Sequence, residues 1–575
     1  MKPVFRSAQL FRTAASTACL LLGAVLASCS GAESVTAPKG AELAAVPTGI
    51  EASSPAQRRL ITEQQYLNTV ANIFGKDIEV IAQFAPMQRT DGLLALGASK
   101  AGVPSGELQK FQRAARQVAA QVVDDGNLEL RLASHRDALM PCKPAAADKA
   151  DGACAAMFLR STGRLLYRRP LSDARVAQMV DQAGKAAVQL GDFYAGIATV
   201  IEGMLISPDV LFIEDRTEPD PEHPGRRRLD AYSYASRLSF FLWNAAPDDM
   251  VLKAAESGEL DTTKGRARVV DVMIASPRLE GGVRGFFDDM LGFDSFANLA
   301  KDPSAYPSET GATLADAREQ TLRTIYDHLV TKKLDYRDLF TTRTTFMSPT
   351  LGAIYRVPAK PGWTEYRFPE GSPRVGLLTQ VSFLAQHAHP ARSSPTRRGK
   401  ALRELLLCQP VPLPPPNVDF SALENPAAAH RTQRDRVNFH LQNPVCAGCH
   451  KITDPIGLAL ENFDGAGIYR RAERGVDIDA SGALDGKGFT DIAGLSLAVR
   501  NHPSLPGCLV RRVYSYGTGA AVDARDKPLV DFLTAEFARH GYRFPDLMRA
   551  IVLSPVFYDV TPPGPAEQKS AAASN

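Results

Sequence analysis

Five consecutive residues, Cys446-Ala447-Gly448-Cys449-His450, constrain this chain more tightly than any other stretch. Two cysteines three residues apart share one face on the first turn of a helix, so both thiols can reach one edge of a planar ligand. The histidine beside the second cysteine then lies under that ligand, with an imidazole nitrogen available to a metal at its centre. That is the attachment pattern of a c-type haem, with two thioethers to the vinyl groups and an axial nitrogen on the iron. With 8 Cys and 10 His in 575 residues, chance supplies only about 0.002 such pentads. The same residues also suit a zinc site, a redox dithiol or a CxxCH that carries no haem. The expected cofactor is one covalent haem c on Cys446 and Cys449, with His450 as axial ligand.

The N-terminus reads as an export signal. Lys2, Arg6 and Arg12 form a basic segment, and residues 14–27 form an apolar one too short to span a bilayer. It ends Leu26-Ala27-Ser28-Cys29-Ser30, which resembles a bacterial lipobox and implies cleavage before Cys29 and lipidation of that residue. Ser30 is not the Asp of an inner-membrane retention signal, so the expected location is the outer membrane, on its periplasmic or cell-surface side. An ordinary secretory signal is the alternative. A formal net charge of +3 gives no reason to expect a nucleic-acid partner.

Export bears on the remaining thiols, because an oxidising compartment pairs spare cysteines. With Cys446 and Cys449 set aside for haem, Cys142, Cys154, Cys408 and Cys508 remain, and four cysteines allow three pairings. The local choice is Cys142 with Cys154, which leaves Cys408 with Cys508 across the flanks of the pentad.

The fold class is mainly α, in several helical modules. Thr62 with Gln65 predicts a capped helix start, and Leu67, Val70, Ile73 and Phe74 follow at helical intervals. Residues 108–123, 157–190, 262–291 and 313–332 continue the pattern. Ser172 caps one helix and Asp230 another, the latter with Tyr234, Leu238, Phe241 and Leu242 on one face. Trp243 reads as core, and 340–355 as irregular. The organisation expected is a signal peptide (1–28), a tether (29–57), helical modules at 58–140 and 141–218, and a central helical domain (219–360). A CxxCH module (370–475), a C-terminal helical module (476–560) and a disordered tail (561–575) complete it.

Stretches 58–75, 165–171, 227–249, 375–470 and 507–519 resemble successive modules of a bacterial family of large exported proteins. Those modules are domains of unknown function numbered 1587, 1595, 1592, 1588 and 1585. The most specific parts are Ser393-Ser394-Pro395-Thr396-Arg397-Arg398-Gly399, Leu407-Cys408 with the prolines from Pro412, and Cys446 through Arg470. The last is similar to cytochrome-c-like segments carrying Asp-Pro-Ile-Gly-Leu-Ala-Leu-Glu-Asn-Phe-Asp after CxxCH. The resemblance implies export and a haem-type C-terminal module, and supplies no substrate.

An electron-carrying cytochrome c has a Met downstream as second axial ligand, but this chain has none between Cys449 and Met548. His387, His389, His430, His440 and His502 lie near enough in sequence to serve. His389 is favoured because it leads into the family-like Ser393-to-Gly399 segment. Bis-His ligation lowers a haem potential relative to His/Met, and an open position permits oxygen or peroxide chemistry.

Residues 401–408 read as a helix, and Pro412, Pro414, Pro415 and Pro416 as an extended connector. Glu461 and Asp464 lie three apart, a spacing that also suits an acid/base pair. Asp477-Ile478-Asp479-Ala480-Ser481-Gly482 opens like a calcium loop, but its twelfth position is Gly488, so a turn or hairpin is expected. GxSxG, Walker and HExxH patterns are absent from the sequence. The expected function is electron transfer or haem-dependent oxidation of an unknown substrate, making an oxidoreductase the enzyme reading, with a redox protein or small molecule as partner. The alternative is a cell-surface binding or scaffold lipoprotein whose CxxCH is structural.

Overall fold

Local capping chemistry starts most of the helices. In α1 (Glu63–Phe74), Thr62 Oγ1 accepts the Gln65 N–H at 3.2 Å and the Gln65 side chain accepts the Thr62 N–H at 3.1 Å, a reciprocal capping box. The computed structural model describes residues 55–81, 84–123, 135–413, 431–442 and 444–561, with isolated positions 44, 46, 47 and 50. Cys29, the leader, most of the expected tether, His430, Pro414 to Pro416 and the tail beyond Thr561 lie outside them.

Helices α2 (Ser105–Val123), α3 (Gly152–Leu166), α4 (Asp173–Leu190) and α5 (Phe193–Leu205) pack with α1. Their shared core includes Phe111, Val118, Phe158, Leu159, Ile197 and Ile201. Ser172 caps α4 as expected, and Asp151 caps α3. The Cys142–Cys154 disulfide, as expected, fastens the preceding loop to the first turn of α3. Strand Arg58–Leu60 pairs antiparallel with Phe212–Glu214.

Helix α6 (Ala231–Leu242) starts where Asp230 Oδ1 accepts the Ser233 N–H at 2.7 Å. Tyr234, Leu238, Phe241 and Leu242 are all buried, the face their spacing requires. Trp243 is core: its indole N–H donates to the Met273 carbonyl at 3.0 Å. Then follow α7 (Asp249–Glu256), α8 (Thr263–Ala275), α9 (Leu279–Met290) and α10 (Gly311–Tyr326).

Two stretches differ from the sequence reading. The segment expected to be irregular holds strand Thr344–Met347, paired with Thr364–Arg367, and then α11 (Pro349–Tyr355). Ser348 Oγ caps α11 by accepting the Leu351 N–H at 3.3 Å. After α12 (Val381–Gln386), the helix expected at 401–408 instead begins upstream as α13 (Pro395–Ala401). Ser394 Oγ accepts the Arg397 N–H and Pro395 takes the first turn, where its missing N–H costs nothing. A π-helical turn, Leu402–Leu406, follows, and the chain leaves through Cys408 at φ 52°.

The C-terminal part comprises α14 (Gln433–Leu441), α15 (Pro444–Gly457), α16 (Ile492–Arg500), α17 (Ser504–Thr518), α18 (Lys527–Arg539) and α19 (Phe544–Leu553). Between α15 and α16 lie two small hairpins, Ala472–Glu473 with Val476–Asp477 and Gly482–Leu484 with Lys487–Phe489. The calcium-like run is thus part of a hairpin connection. Leu238, Phe286, Leu402, Ile456, Leu460, Leu509, Phe537 and Met548 belong to one buried cluster, so the central and C-terminal helices share a core. The fold is mainly α. No helix among the described residues is long and apolar enough to cross a membrane.

Candidate functional site

Helix α15 carries Cys446, Cys449, His450 and Asp454; Cys446 shares a face with Cys449 and with His450, and His450 shares one with Asp454. Cys408 and Cys508 are joined, as expected, with Cα atoms 5.3 Å apart. Among the described residues the free thiols are those of Cys446 and Cys449, both half-buried. The Cys449 thiol donates weakly to the Pro412 carbonyl at 3.4 Å.

His450 is held by its own helix. Its Nδ1 lies 2.5 Å from Oδ2 of Asp454 one turn on, and Asp454 is fully buried. Thr453 Oγ1 donates to the other Asp454 oxygen at 3.0 Å and lies 3.1 Å from the Cys449 carbonyl. A carboxylate fixed in this way selects the tautomer with the proton on Nδ1 and leaves Nε2 as the nitrogen that can bind a metal.

Two segments clamp α15 from below. A Cβ on Gly399 of α13 would fall 1.9 Å from the Thr453 carbonyl oxygen, and one on Gly457 1.8 Å from the Pro395 carbonyl oxygen. Each helix therefore presents a glycine to the other's backbone. Thr396, on the same face of α13, lies 3.5 Å from His450 Nδ1. Arg403 donates to the Ile452 carbonyl at 2.5 Å and pairs with Asp485 at 2.9 Å, tying α15 to the second hairpin.

Arg398 lies inside the fold, fully buried, where it donates to the carbonyls of Leu460, Phe463, Asp464 and Leu384. Burial lowers its pKa to about 10, so it stays charged at neutral pH, with Glu461 3.6 Å away. Glu461 accepts from Ser393 Oγ at 2.7 Å and from Arg470 at 3.0 Å, and burial raises its pKa. Asp464 Oδ1 accepts the Ala466 and Ile468 N–H groups of a turn. Glu461 Oε2 and Asp464 Oδ1 thus serve the fold, while Glu461 Oε1 is buried with no hydrogen-bond partner among the described residues.

The histidines separate clearly. His502 uses both ring nitrogens, Nε2 with Asp485 at 2.9 Å and Nδ1 with the Ser504 N–H at 3.1 Å. His389 is half-buried; its carbonyl lies 3.4 Å from Lys301 Nζ and its N–H donates to the Arg392 carbonyl. His387 packs against Phe383 with Nε2 buried and unpaired. Burial and the cations of Arg397 and Lys301 push His387 down to about 3 and His389 to about 4, so both are neutral. His440 on α14 sets its ring against His450, centroids 5.3 Å apart. Met548 is fully buried in the main core.

Sequence reasoning missed Asp454, although a helical His with an Asp four residues on is itself a readable signal. It also missed the close approaches of Gly399 to Thr453 and of Gly457 to Pro395, which join segments far apart in the chain.

The fold and this site define a multi-module helical protein organised around a CxxCH helix. In chain order, five family models match, each described as a protein of unknown function. They are DUF1587 over residues 58–124, DUF1595 over 154–215, DUF1592 over 229–357, DUF1588 over 374–473 and DUF1585 over 485–557. The chain belongs to the family built from these five modules in this arrangement. The pentad, Asp454 and α13 all fall within the DUF1588 match. No curated protein and no solved structure matches the chain.

Proposed function

We propose that this protein is an exported c-type haem protein acting in electron transfer, or in haem-dependent oxidation of a substrate. The observation that carries the proposal is the state of α15: two free thiols one turn apart, beside a histidine whose Nδ1 is held by a buried carboxylate. The residues fit the group. Cys446, Cys449 and His450 do not converge as a single-ion cluster, which a zinc site requires. Three large apolar side chains flank the pentad in an exposed state, Leu413 (80% exposed), Phe439 (46%) and Val445 (57%), the kind of surface that a flat apolar ligand covers.

In this reading Cys446 and Cys449 would hold the group covalently through their thiols, His450 would offer Nε2 to the iron, and Asp454 would keep the imidazole oriented through its contact with Nδ1. When bound, haem supplies one-electron redox chemistry, and oxygen or peroxide chemistry where a coordination position is open. The Cys29 lipobox supports export and anchoring to the outer membrane.

The test is a haem stain on a denaturing gel, using protein made with the c-type maturation machinery beside a Cys446→Ala/Cys449→Ala variant. Stain that survives denaturation and is lost in the variant is expected. Unstained wild-type protein, with maturation working on a standard cytochrome, overturns the proposal and leaves a structural CxxCH.

A further inference from the structure

We propose that the cavity beside Arg59 binds a small monovalent anion, of the size of chloride or formate, at a point where four of the matched modules meet. Its walls come from strand Arg58–Leu60 (Arg59, Leu60), strand Phe212–Glu214 (Ile213), α6 (Phe240, Phe241) and the end of α17 (Tyr516). These elements fall in the matches at 58–124, 154–215, 229–357 and 485–557. The free space is about 20 Å³, room for one small guest, since a water needs roughly 10–15 Å³ on the same measure.

A guanidinium with an open edge lines this space. Arg59 is 6% exposed, and its Nη1 donates to the Tyr516 carbonyl at 3.4 Å. Its Nε and Nη2 are buried with no hydrogen-bond partner among the described residues. In any guanidinium the Nε–H and one N–H of Nη2 run parallel, a fork that matches the two oxygens of a carboxylate. Gly519 makes room for the side chain from elsewhere: a Cβ there would fall 2.2 Å from Arg59 Cδ and 3.2 Å from Nη1.

The charges around Arg59 do not cancel. Arg237 is fully buried and Asp215 nearly so. Asp215 Oδ2 accepts from Arg237 Nη2 at 2.5 Å and from the Gln57 N–H at 2.8 Å. Asp215 attracts the Arg59 charge and Arg237 repels it, while burial keeps the Tyr516 hydroxyl protonated. Two cations and one carboxylate leave a single positive charge inside the fold, next to donors that nothing accepts from, and that arrangement is costly. A monoanion in the cavity neutralises it and takes up the open edge. A water takes up the edge alone. It also finds few further partners, because Thr62 and Gln65 are spent on each other in the α1 capping box and the other walls are largely apolar.

The test does not depend on haem. Melting temperature is measured for wild type, Arg59→Gln and Arg58→Gln at one fixed ionic strength, as sodium gluconate, whose anion is too large for the cavity, is exchanged stepwise for sodium chloride or sodium formate. Arg58 is the exposed neighbour on the same strand. Wild type and Arg58→Gln should gain about 2–3 °C, saturably, once the anion exceeds its dissociation constant a hundredfold. Arg59→Gln should gain nothing. A gain with formate alone identifies a carboxylate site, and a gain with chloride alone a halide site. A melting temperature that ignores the anion, or a gain that Arg59→Gln keeps, overturns the proposal. If Arg59→Gln does not fold, wild-type crystals grown in bromide and in formate decide. An anomalous bromide peak or a formate within about 3.5 Å of Arg59 Nε or Nη2 upholds the site, and a water only in both crystals overturns it.

Discussion

A Cβ on Gly399 would lie 1.9 Å from the carbonyl oxygen of Thr453, so α13 and α15 meet backbone to backbone at the point beneath His450. Gly457 makes the reciprocal approach to Pro395 at 1.8 Å. Two of the most distinctive motifs in the sequence are thus two sides of one helix contact, and that contact sets the height at which the pentad helix sits.

Overpacking predicts the consequence. Gly399→Ala and Gly457→Ala each drive a methyl into a carbonyl oxygen, a backbone clash that only helix displacement relieves. Each is expected to destabilise by about 3 kcal/mol, seen as a lower urea midpoint. Gly448, inside the pentad, has no neighbour within 4 Å of such a Cβ. Gly448→Ala is expected to be stabilising by up to about 1 kcal/mol, since it removes a helical glycine. Equal losses at all three positions would refute the contact.

The cysteine state predicts a thiol count. Cys408–Cys508 spans 100 residues, and a loop of that length is worth about 4–5 kcal/mol in the chain-entropy model. Cys408→Ala/Cys508→Ala is therefore expected to lower the unfolding free energy by a similar amount. Haem-free protein lacking the leader and Cys29, denatured without reductant, should titrate two thiols, and haem-loaded protein none. A count of four in the haem-free sample would place a disulfide in error.

A pH dependence follows from Glu309. Burial raises its pKa from the ordinary 4.5 to about 7; Lys301 works against the rise and Asp464 with it, and neither carboxyl oxygen has a hydrogen-bond partner. The folded state therefore holds this proton longer than the unfolded chain. The associated stability is complete below about pH 4.5 and is lost as pH rises through about 7. Asp559, raised to about 6 by burial and by Asp220, adds a slope of the same sign. Glu309→Gln minus wild type isolates the first effect: the variant should gain of the order of 2 kcal/mol between about pH 5 and 8. A difference that does not change with pH would show that Glu309 is charged in the folded protein throughout.

What could be read from the sequence follows the range of the interactions. The caps at Thr62, Ser172 and Asp230 were legible because each is settled within three residues. Trp243 was legible as core because its stripe is local and periodic. The disulfides came from elimination among six cysteines. Strand Thr344–Met347 was not legible, since it exists only against Thr364–Arg367, and neither segment alternates strongly. The start of α13 was misplaced because Arg397, Arg398 and Lys400 look like a solvated run. In the fold Arg398 is fully buried against four carbonyls that lie outside its own helix. His440 and His450 have almost no sequence signal in common, and only the pairing of α14 with α15 brings their rings together.

The last prediction concerns Asp454. Its carboxylate is fully buried, and its charge faces Nδ1 of His450 at 2.5 Å. Asp454→Asn keeps the shape and can still accept from Nδ1–H, but without the negative charge it polarises the imidazole less. On the haem reading, a less polarised imidazole on the iron would stabilise ferric iron less, so the potential of the haem-loaded protein should rise. Asp454→Ala removes the acceptor altogether and should raise the potential further while loosening ring orientation. On the haem reading, covalent attachment should survive in both, because the thiols of Cys446 and Cys449 would carry it independently of Asp454. Redox titration of the haem-loaded variants measures the shift, and thermal unfolding of the haem-free proteins measures what the pair contributes to folding alone. If haem is attached and neither variant moves the potential, His450 is not on the iron, and the carboxylate serves only to hold the helix.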